Sequence, residues 1–360
     1  MSFAKEYPIA PLNKQAMDAA QERLNSLIKP PGSLGELEAV SEKLAGISGE
    51  VYYNPAKRCI IIMSSDNGVV EEGVAAAPQG VTYAQTINFV KGITGVSVLA
   101  KLVNADLIVV DVGINADMNH PLIKNKKIRK STSNIAKGPA MTREDAEKAV
   151  RIGIETAIQA KHDGYKLLGA GEMGIGNTTT SAAVLFALTG LSPDKAVGKG
   201  AGLKEDAYRN KIDVVRTAIT KNAVDASDPI DVLAKVGGFD IAAMAGVYIG
   251  AAHMQIPIVI DGFISIVAAL VAARINPSVK DYMFASHVSA EPGYLHAQEA
   301  IGLTPCLHLN MRLGEGSGCP LMFTIIDAAC AIIKDMATFA DLEAAEDYLD
   351  EVKDADFNVV

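Results

Sequence analysis

Short apolar runs alternate with longer helix-like segments along this chain, and each run gives way at its C-terminal end to glycine and polar residues. The run over residues 58–63 ends in Ser64-Ser65-Asp66-Asn67-Gly68, and that over 106–110 in Asp111-Val112-Gly113. Residues 165–168 lead into Gly169-Ala170-Gly171-Glu172, while 257–260 and 282–285 end in Asp261-Gly262 and Ser286-His287. Continuous rather than alternating apolar runs mark strands buried on both faces, and their alternation with helices marks a parallel sheet. The polar ends fall where open parallel sheets bind ligands, just beyond the carboxyl ends of the strands.

A first helix is expected over residues 13–27. Lys29-Pro30-Pro31-Gly32 ends it, since proline cannot continue the hydrogen-bond ladder. Ser33 is then placed to cap a second helix, with Glu36 at the capping-box position. Residues 241–258 are largely apolar but are interrupted by Gly246, Gly250, His253, Gln255 and Pro257, so they read as a buried helix followed by a strand and not as a membrane span. Lys124 to Lys130 reads as a solvated basic loop. Residues 340–360 turn acidic and read as a surface helix with a loose tail. The pattern predicts an α/β fold: a parallel-sheet, Rossmann-like core over residues 51–320 with helices on both faces. A smaller helical domain is expected from the two chain ends, residues 1–50 and 321–360. No internal repeat or flexible linker divides the middle.

Composition narrows this picture. The chain has 360 residues, 49% of them hydrophobic, enough for a large core. A net charge of −9 argues against a general nucleic-acid surface. The first eleven residues lack a basic start and an apolar export segment, and the four cysteines form no CxxC pair. Reduced thiols, a cytoplasmic location and no membrane attachment are the expectation.

Three constellations carry candidate chemistry. Gly169-Ala170-Gly171-Glu172-Met173-Gly174 matches GxGxxG after a strand, but the acidic partner of a dinucleotide site is missing: Asp194, at the right distance, sits in the turn Gly190-Leu191-Ser192-Pro193-Asp194. A dehydrogenase remains as the alternative resting on that motif. The following Gly174-Ile175-Gly176-Asn177-Thr178-Thr179-Thr180 suits one phosphate, held by N–H groups and hydroxyls at a helix start, or else a glycine turn with threonine caps. In Arg312-Leu313-Gly314-Glu315-Gly316-Ser317-Gly318, a carboxylate between glycines lies on a close-approach loop. There it can serve as a general base if desolvation raises its pKa, or simply partner Arg312. Lys211, taken together with Gly198-Lys199-Gly200-Ala201-Gly202, can neutralise a phosphate as a point charge or be an ordinary surface lysine. The six histidines show no metal-binding spacing, and Cys319 has no visible catalytic partner and reads as core. No metal or cofactor is expected.

These blocks resemble a known family. Lys29-Pro30-Pro31-Gly32-Ser33-Leu34-Gly35, the segment from Gly169 to Thr179, Lys235-Val236-Gly237-Gly238-Phe239-Asp240, Asp261-Gly262-Phe263, Ser286-His287-Val288-Ser289-Ala290-Glu291 and Met311 to Gly318 are similar, in order and over nearly the whole chain, to the nicotinate-nucleotide:dimethylbenzimidazole phosphoribosyltransferases of cobamide assembly. The resemblance implies displacement of nicotinate from nicotinate mononucleotide by an aromatic acceptor, giving an α-riboside 5′-phosphate. It implies Glu315 as the base and Glu172 as a second active-site carboxylate. Ala77, Tyr83, Gln85, Met173 and Leu313 are implied on the acceptor side. Gly174, Gly176, Asn177, Thr178 and Thr179 are implied around the phosphoribosyl group, together with Gly200, Lys211, Asp261 and Ser289.

The family is dimeric, which implies a dimer of this chain with itself or with a paralogue. Two positions depart from the family pattern. Ala77 stands before Pro78 where a serine is usual, and Asp66-Asn67-Gly68 replaces Asp-His-Gly. The lost hydroxyl and imidazole leave the acceptor open between a benzimidazole or purine and phenol or p-cresol, as in heteromeric phenol-activating homologues. A non-catalytic partner subunit is the other alternative, and the presence of Glu315 speaks against it.

Overall fold

The computed structural model describes residues 3–341. Its sheet has six strands: β1 (Arg58–Ser65), β2 (Ala105–Gly113), β3 (Ile123–Asn125), β4 (Leu167–Met173), β5 (Ile258–Ile260) and β6 (Met283–Ala285). All pair in parallel, in the order β3-β2-β1-β4-β5-β6. β1 and β4 are buried at every residue, which requires cover on both faces and explains why their sequences are continuously apolar. Strand order changes direction between β1 and β4. The crevice beyond their carboxyl ends is the topological switch point of such a sheet.

Helix packing against the sheet is close because glycines remove side chains at the crossing. Helix Phe239–His253 is buried from Phe239 to Ala252, as its largely apolar sequence predicts, and Asp240 is buried with it. A Cβ on Gly246 would lie 1.9 Å from the Val150 carbonyl, and one on Gly153 1.9 Å from that of Ala243. The helices Arg143–His162 and Phe239–His253 therefore meet backbone to backbone.

The described residues divide into two compact units, 3–10 with 56–322, and 11–55 with 323–341. In the second, helices Lys14–Ser26 and Glu36–Ser48 and the end of helix Cys319–Asp335 bury Leu24, Leu27, Ala45 and Ile333 together. Arg23 fastens the chain ends by donating to the Ile333 and Met336 carbonyls at 3.0 and 2.8 Å. The acidic stretch expected as a surface helix and tail lies, beyond Asp341, outside the described residues.

Several local readings change. The first ten residues group with the sheet unit and not with the helical one, because Phe3 is buried under Arg151 and His253 bonds the Pro8 carbonyl. The second helix is not capped by Ser33. Gly35 occupies the cap, and Glu38 instead accepts from the Leu34 N–H at 2.8 Å while pairing with buried Lys29. The basic segment is not wholly a solvated loop: it begins in edge strand β3, and Lys127 donates to two carbonyls and pairs with buried Asp111 at 2.8 Å. A three-residue edge strand is too short to show periodicity. Finally, Gly169 to Met173 belongs to β4 itself and is not a strand-to-helix turn, which removes the geometry of a dinucleotide fingerprint.

Candidate active site

A cavity of about 390 Å³ opens at the carboxyl ends of the strands, beside the switch point. Its walls come from seven segments: Val74 to Ala77 after β1, Val81 with Gln85, Glu172 to Thr178 at the end of β4, Gly200 with Ala201, Asp261 to Ser265 after β5, His287 with Ser289 and Glu291 after β6, and Arg312 to Glu315. Residues as distant in sequence as Val74 and Glu315 converge because parallel strands deliver every following loop to the same edge.

Glu315 stands in the left-handed region, with φ +65°, between Gly314 at +82° and Gly316 at +85°. For a non-glycine residue that conformation costs about 1–3 kcal/mol and persists only when its surroundings enforce it. One cause is the sheet: Gly171 of β4 has no side chain, and a Cβ there would lie 2.5 Å from the Gly316 nitrogen. The Glu315 backbone thus rests on the strand. Its Oε1 accepts from Gln85 Nε2 at 2.6 Å. Its Oε2 is buried without a partner of hydrogen-bonding geometry, although the N–H groups of Gly95 and Val96 at a helix start are close enough to favour charge. Burial outweighs these and raises the pKa. A desolvated carboxylate in the wall of a cavity is suited to accept a proton.

Glu172 is the last but one residue of β4. Burial and the neighbouring Asp240 push its carboxyl up to about 8. Asn177 Nδ2 bridges the two acids, donating to Glu172 and, at 3.1 Å, to Asp240, which burial raises to about 6. Because the folded state holds these protons more tightly than the unfolded chain, their contribution to stability is complete below about 4.5, the ordinary value, and is lost as pH rises through about 8. Thermal denaturation across that window should show a falling midpoint. Glu172→Gln should flatten the upper part of the fall; an unchanged slope would exclude Glu172 as its source.

At the other end of the cavity, helix Asn177–Thr189 begins behind Gly176, whose φ of +94° turns the chain into the helix and leaves Asn177 and Thr178 in the cavity wall. Lys211 is fully buried one layer back. Its Nζ donates to Thr178 Oγ1 at 2.8 Å and to the Gly198 carbonyl at 2.9 Å, and burial lowers its pKa to about 8. The helix dipole and one ammonium make this end the natural seat of an anion.

Most of the residues singled out from sequence do meet here: Ala77, Gln85, Met173 and Leu313 line one part of the cavity, and Gly174, Gly176, Asn177, Thr178, Gly200 and Ser289 line the other, with Glu172, Asp261 and Glu315 between. Lys211 and Thr179 are not in the wall. Lys211 acts through Thr178, and Thr179 is buried. Tyr83 is a correction: it lies on helix Gly80–Lys91 but not in the cavity wall. Val81 and Gln85, four apart, face the cavity, and a residue midway between them points about 200° away. Glu291 and His287 were overlooked as wall residues, although both lie in a segment already marked by its polar ending. Asp240, after a Gly-Gly pair, carried no signal beyond that spacing.

Comparison with known proteins agrees with this geometry. A family model described as Phosphoribosyltransferase matches residues 9–343. A nicotinate-nucleotide–dimethylbenzimidazole phosphoribosyltransferase from Clostridium perfringens is 54% identical over 341 residues, 95% of this chain and 94% of that one. One from Acetivibrio thermocellus is 52% identical over 341 residues, 95% of this chain and 97% of its own. The crystal structure of CobT from Thermus thermophilus matches with a TM-score of 0.87 at 40% identity, covering 91% of this chain and 98% of that one. With its parallel sheet, its switch-point cavity and this similarity along almost its full length, the chain belongs to the nicotinate-nucleotide:dimethylbenzimidazole phosphoribosyltransferase family and is a phosphoribosyltransferase.

Proposed function

We propose that this enzyme transfers the ribose 5-phosphate of nicotinate mononucleotide to an aromatic acceptor, releasing nicotinate and forming an α-riboside 5′-phosphate. The observation that carries the reading is the Glu315 carboxylate, desolvated and raised in pKa, in the wall of a cavity whose far end suits a phosphate. The nucleotide's phosphate sits at Gly174 to Thr178, Gly200 and Ser289, with Lys211 behind them. The acceptor lies against Ala77, Met173 and Leu313 with its N–H or O–H toward Glu315. As its nitrogen or oxygen bonds to the ribose C1′, the bond to nicotinate breaks and the acceptor's proton passes to the Glu315 carboxylate. The donor's C–N bond is already activated by the cationic pyridinium ring, so a single proton acceptor suffices. Attack from the face opposite nicotinate inverts C1′.

Relatives' names favour dimethylbenzimidazole as the acceptor. A second reading, phenol or p-cresol, is supported by the wall itself. Val74, Ala75, Ala76, Ala77 and Val81 are apolar, and Gln85 spends its amide on Glu315. A phenol needs one partner for its hydroxyl and none elsewhere. A benzimidazole depends more on orientation, because one nitrogen must face C1′ while the other gives up its proton.

The experiment is incubation with nicotinate mononucleotide and a panel of benzimidazoles, adenine, phenol and p-cresol, with the riboside phosphate identified by mass. Ala77→Ser should shift kcat/KM toward dimethylbenzimidazole, by about tenfold if the hydroxyl gains one hydrogen bond of ordinary strength. Good use of benzimidazoles with none of phenols, alone or with a paralogous partner, removes the phenolic reading. Failure with every acceptor removes the transferase reading of the cavity.

A further inference from the structure

The loop that carries Glu315 makes two turn bonds of its own, Ser317 N–H to the Gly314 carbonyl at 3.0 Å and Cys319 N–H to that of Gly316 at 3.1 Å, and is fixed further by a side chain from elsewhere. Three residues in succession have positive φ, and neither Gly314 nor Gly316 contributes a side chain to fix them. The fixed point is Asp261, the first residue after β5. It is 2% exposed, and its Oδ2 accepts from the Gly316 N–H at 3.0 Å and its Oδ1 from the Gly318 N–H at 2.6 Å. The N–H of Gly262 also supports its charge. Both oxygens are thus engaged within the protein, one on each side of Ser317. Gly318 has no room for a side chain: a Cβ there would lie 2.3 Å from His287 Nδ1, 2.5 Å from Ser286 Oγ and 2.8 Å from Asp261 Oδ1.

We propose that Asp261 is the positioning residue of the reaction: it clamps the N–H groups of Gly316 and Gly318 so that Glu315 is held in its left-handed conformation with its carboxylate in the cavity wall, and it is not a ligand of the phosphoribosyl group. The inference rests on the reading of Glu315 as the base. Without the clamp, the loop can relax to ordinary φ values and carry the carboxylate away from the acceptor, and a displacement of about 1 Å at a reacting group can cost about 100-fold in rate. A carboxylate in this place does what no neutral side chain of its size can do. It offers two acceptors to two N–H groups, whereas an amide offers one acceptor and turns an N–H against the other donor.

The test is Asp261→Asn, which preserves volume. Its kcat should fall about 10–100-fold, while calorimetry shows unchanged affinity for nicotinate mononucleotide. In a Glu315→Gln background the same substitution should cost nothing further, because the two residues act as one unit. Lost nucleotide affinity with retained kcat would identify Asp261 as a substrate ligand and overturn the proposal, as would losses that add in the double variant. Near-normal turnover of Glu315→Gln alone would overturn the base instead, whatever Asp261→Asn does, so the two failures are distinguishable. Should Asp261→Asn not fold, hydrogen exchange on the unmodified enzyme decides. The amides of Gly316 and Gly318 must be strongly protected, and rapid exchange at both overturns the clamp.

Discussion

Glu315→Gln should lose about 10²–10⁴-fold in kcat, the span usual for removing a general base, with the affinity for nicotinate mononucleotide retained. Glutamine keeps the shape and can still meet Gln85 through its carbonyl oxygen, so the loop has no new reason to move. What disappears is the capacity of Oε2 to accept a proton. Steady-state kinetics combined with calorimetric nucleotide binding separates the two. The same assignment predicts the pH profile. Burial raises the Glu315 pKa, and the base acts only when ionised, so kcat should fall on the acid side at a pH above the ordinary carboxylate value of 4.5. A variant with near-normal turnover and an unaltered acid limb would remove Glu315 from the chemistry.

The second large effect is expected at the phosphate. Lys211→Ala should weaken nucleotide binding by about 10–150-fold: the ammonium acts on the phosphate from behind Thr178, and charge attraction across one layer of protein supplies about 1.5–3 kcal/mol. Acceptor binding should change far less. Since a fully buried lysine also supports Thr178 and the Gly198 carbonyl, some stability will be lost with it. Nicotinate riboside, which lacks the phosphate, provides the control. The wild-type enzyme should use it very poorly, and the variant should discriminate much less between riboside and nucleotide. Because burial lowers the Lys211 pKa to about 8, kcat/KM for the nucleotide should also decline as pH rises through that value, and this limb should vanish in the variant. Equal use of riboside and nucleotide by the wild type would show that the helix start binds something else.

Much of the molecule was legible one-dimensionally because it depends on local physics. Continuous apolar runs cannot be stable as strands unless both faces are covered, so the positions of β1, β2, β5 and β6 followed from composition along the chain, whereas β4 runs on through the glycines that read as its loop. Their polar endings located the binding edge. The glycines around Glu315 announced a special backbone, and the glycine and threonine run from Gly174 announced an anion-binding helix start. Other features had no local signature. β3 is set only by pairing with β2, and Lys127 is drawn in to half-burial only because Asp111 and two carbonyls surround it. Tyr83 sits between two cavity residues in sequence, yet helical phase turns it away. The GxGxxG match dissolved because Gly169 and Gly171 serve the approach of Cys319 and of the Glu315–Gly316 backbone, segments far apart along the chain. The resemblance implied Asp261 as a ligand of the phosphoribosyl group. Only the fold revealed that its two oxygens are taken up by Gly316 and Gly318. Sequence alone determined which segments could form strands, turns and an anion seat, since those depend on neighbours along the chain. Which carboxylate faces the acceptor, and which one holds that carboxylate in place, was decided by tertiary structure, because burial and hydrogen-bond partners belong to residues brought together from distant segments.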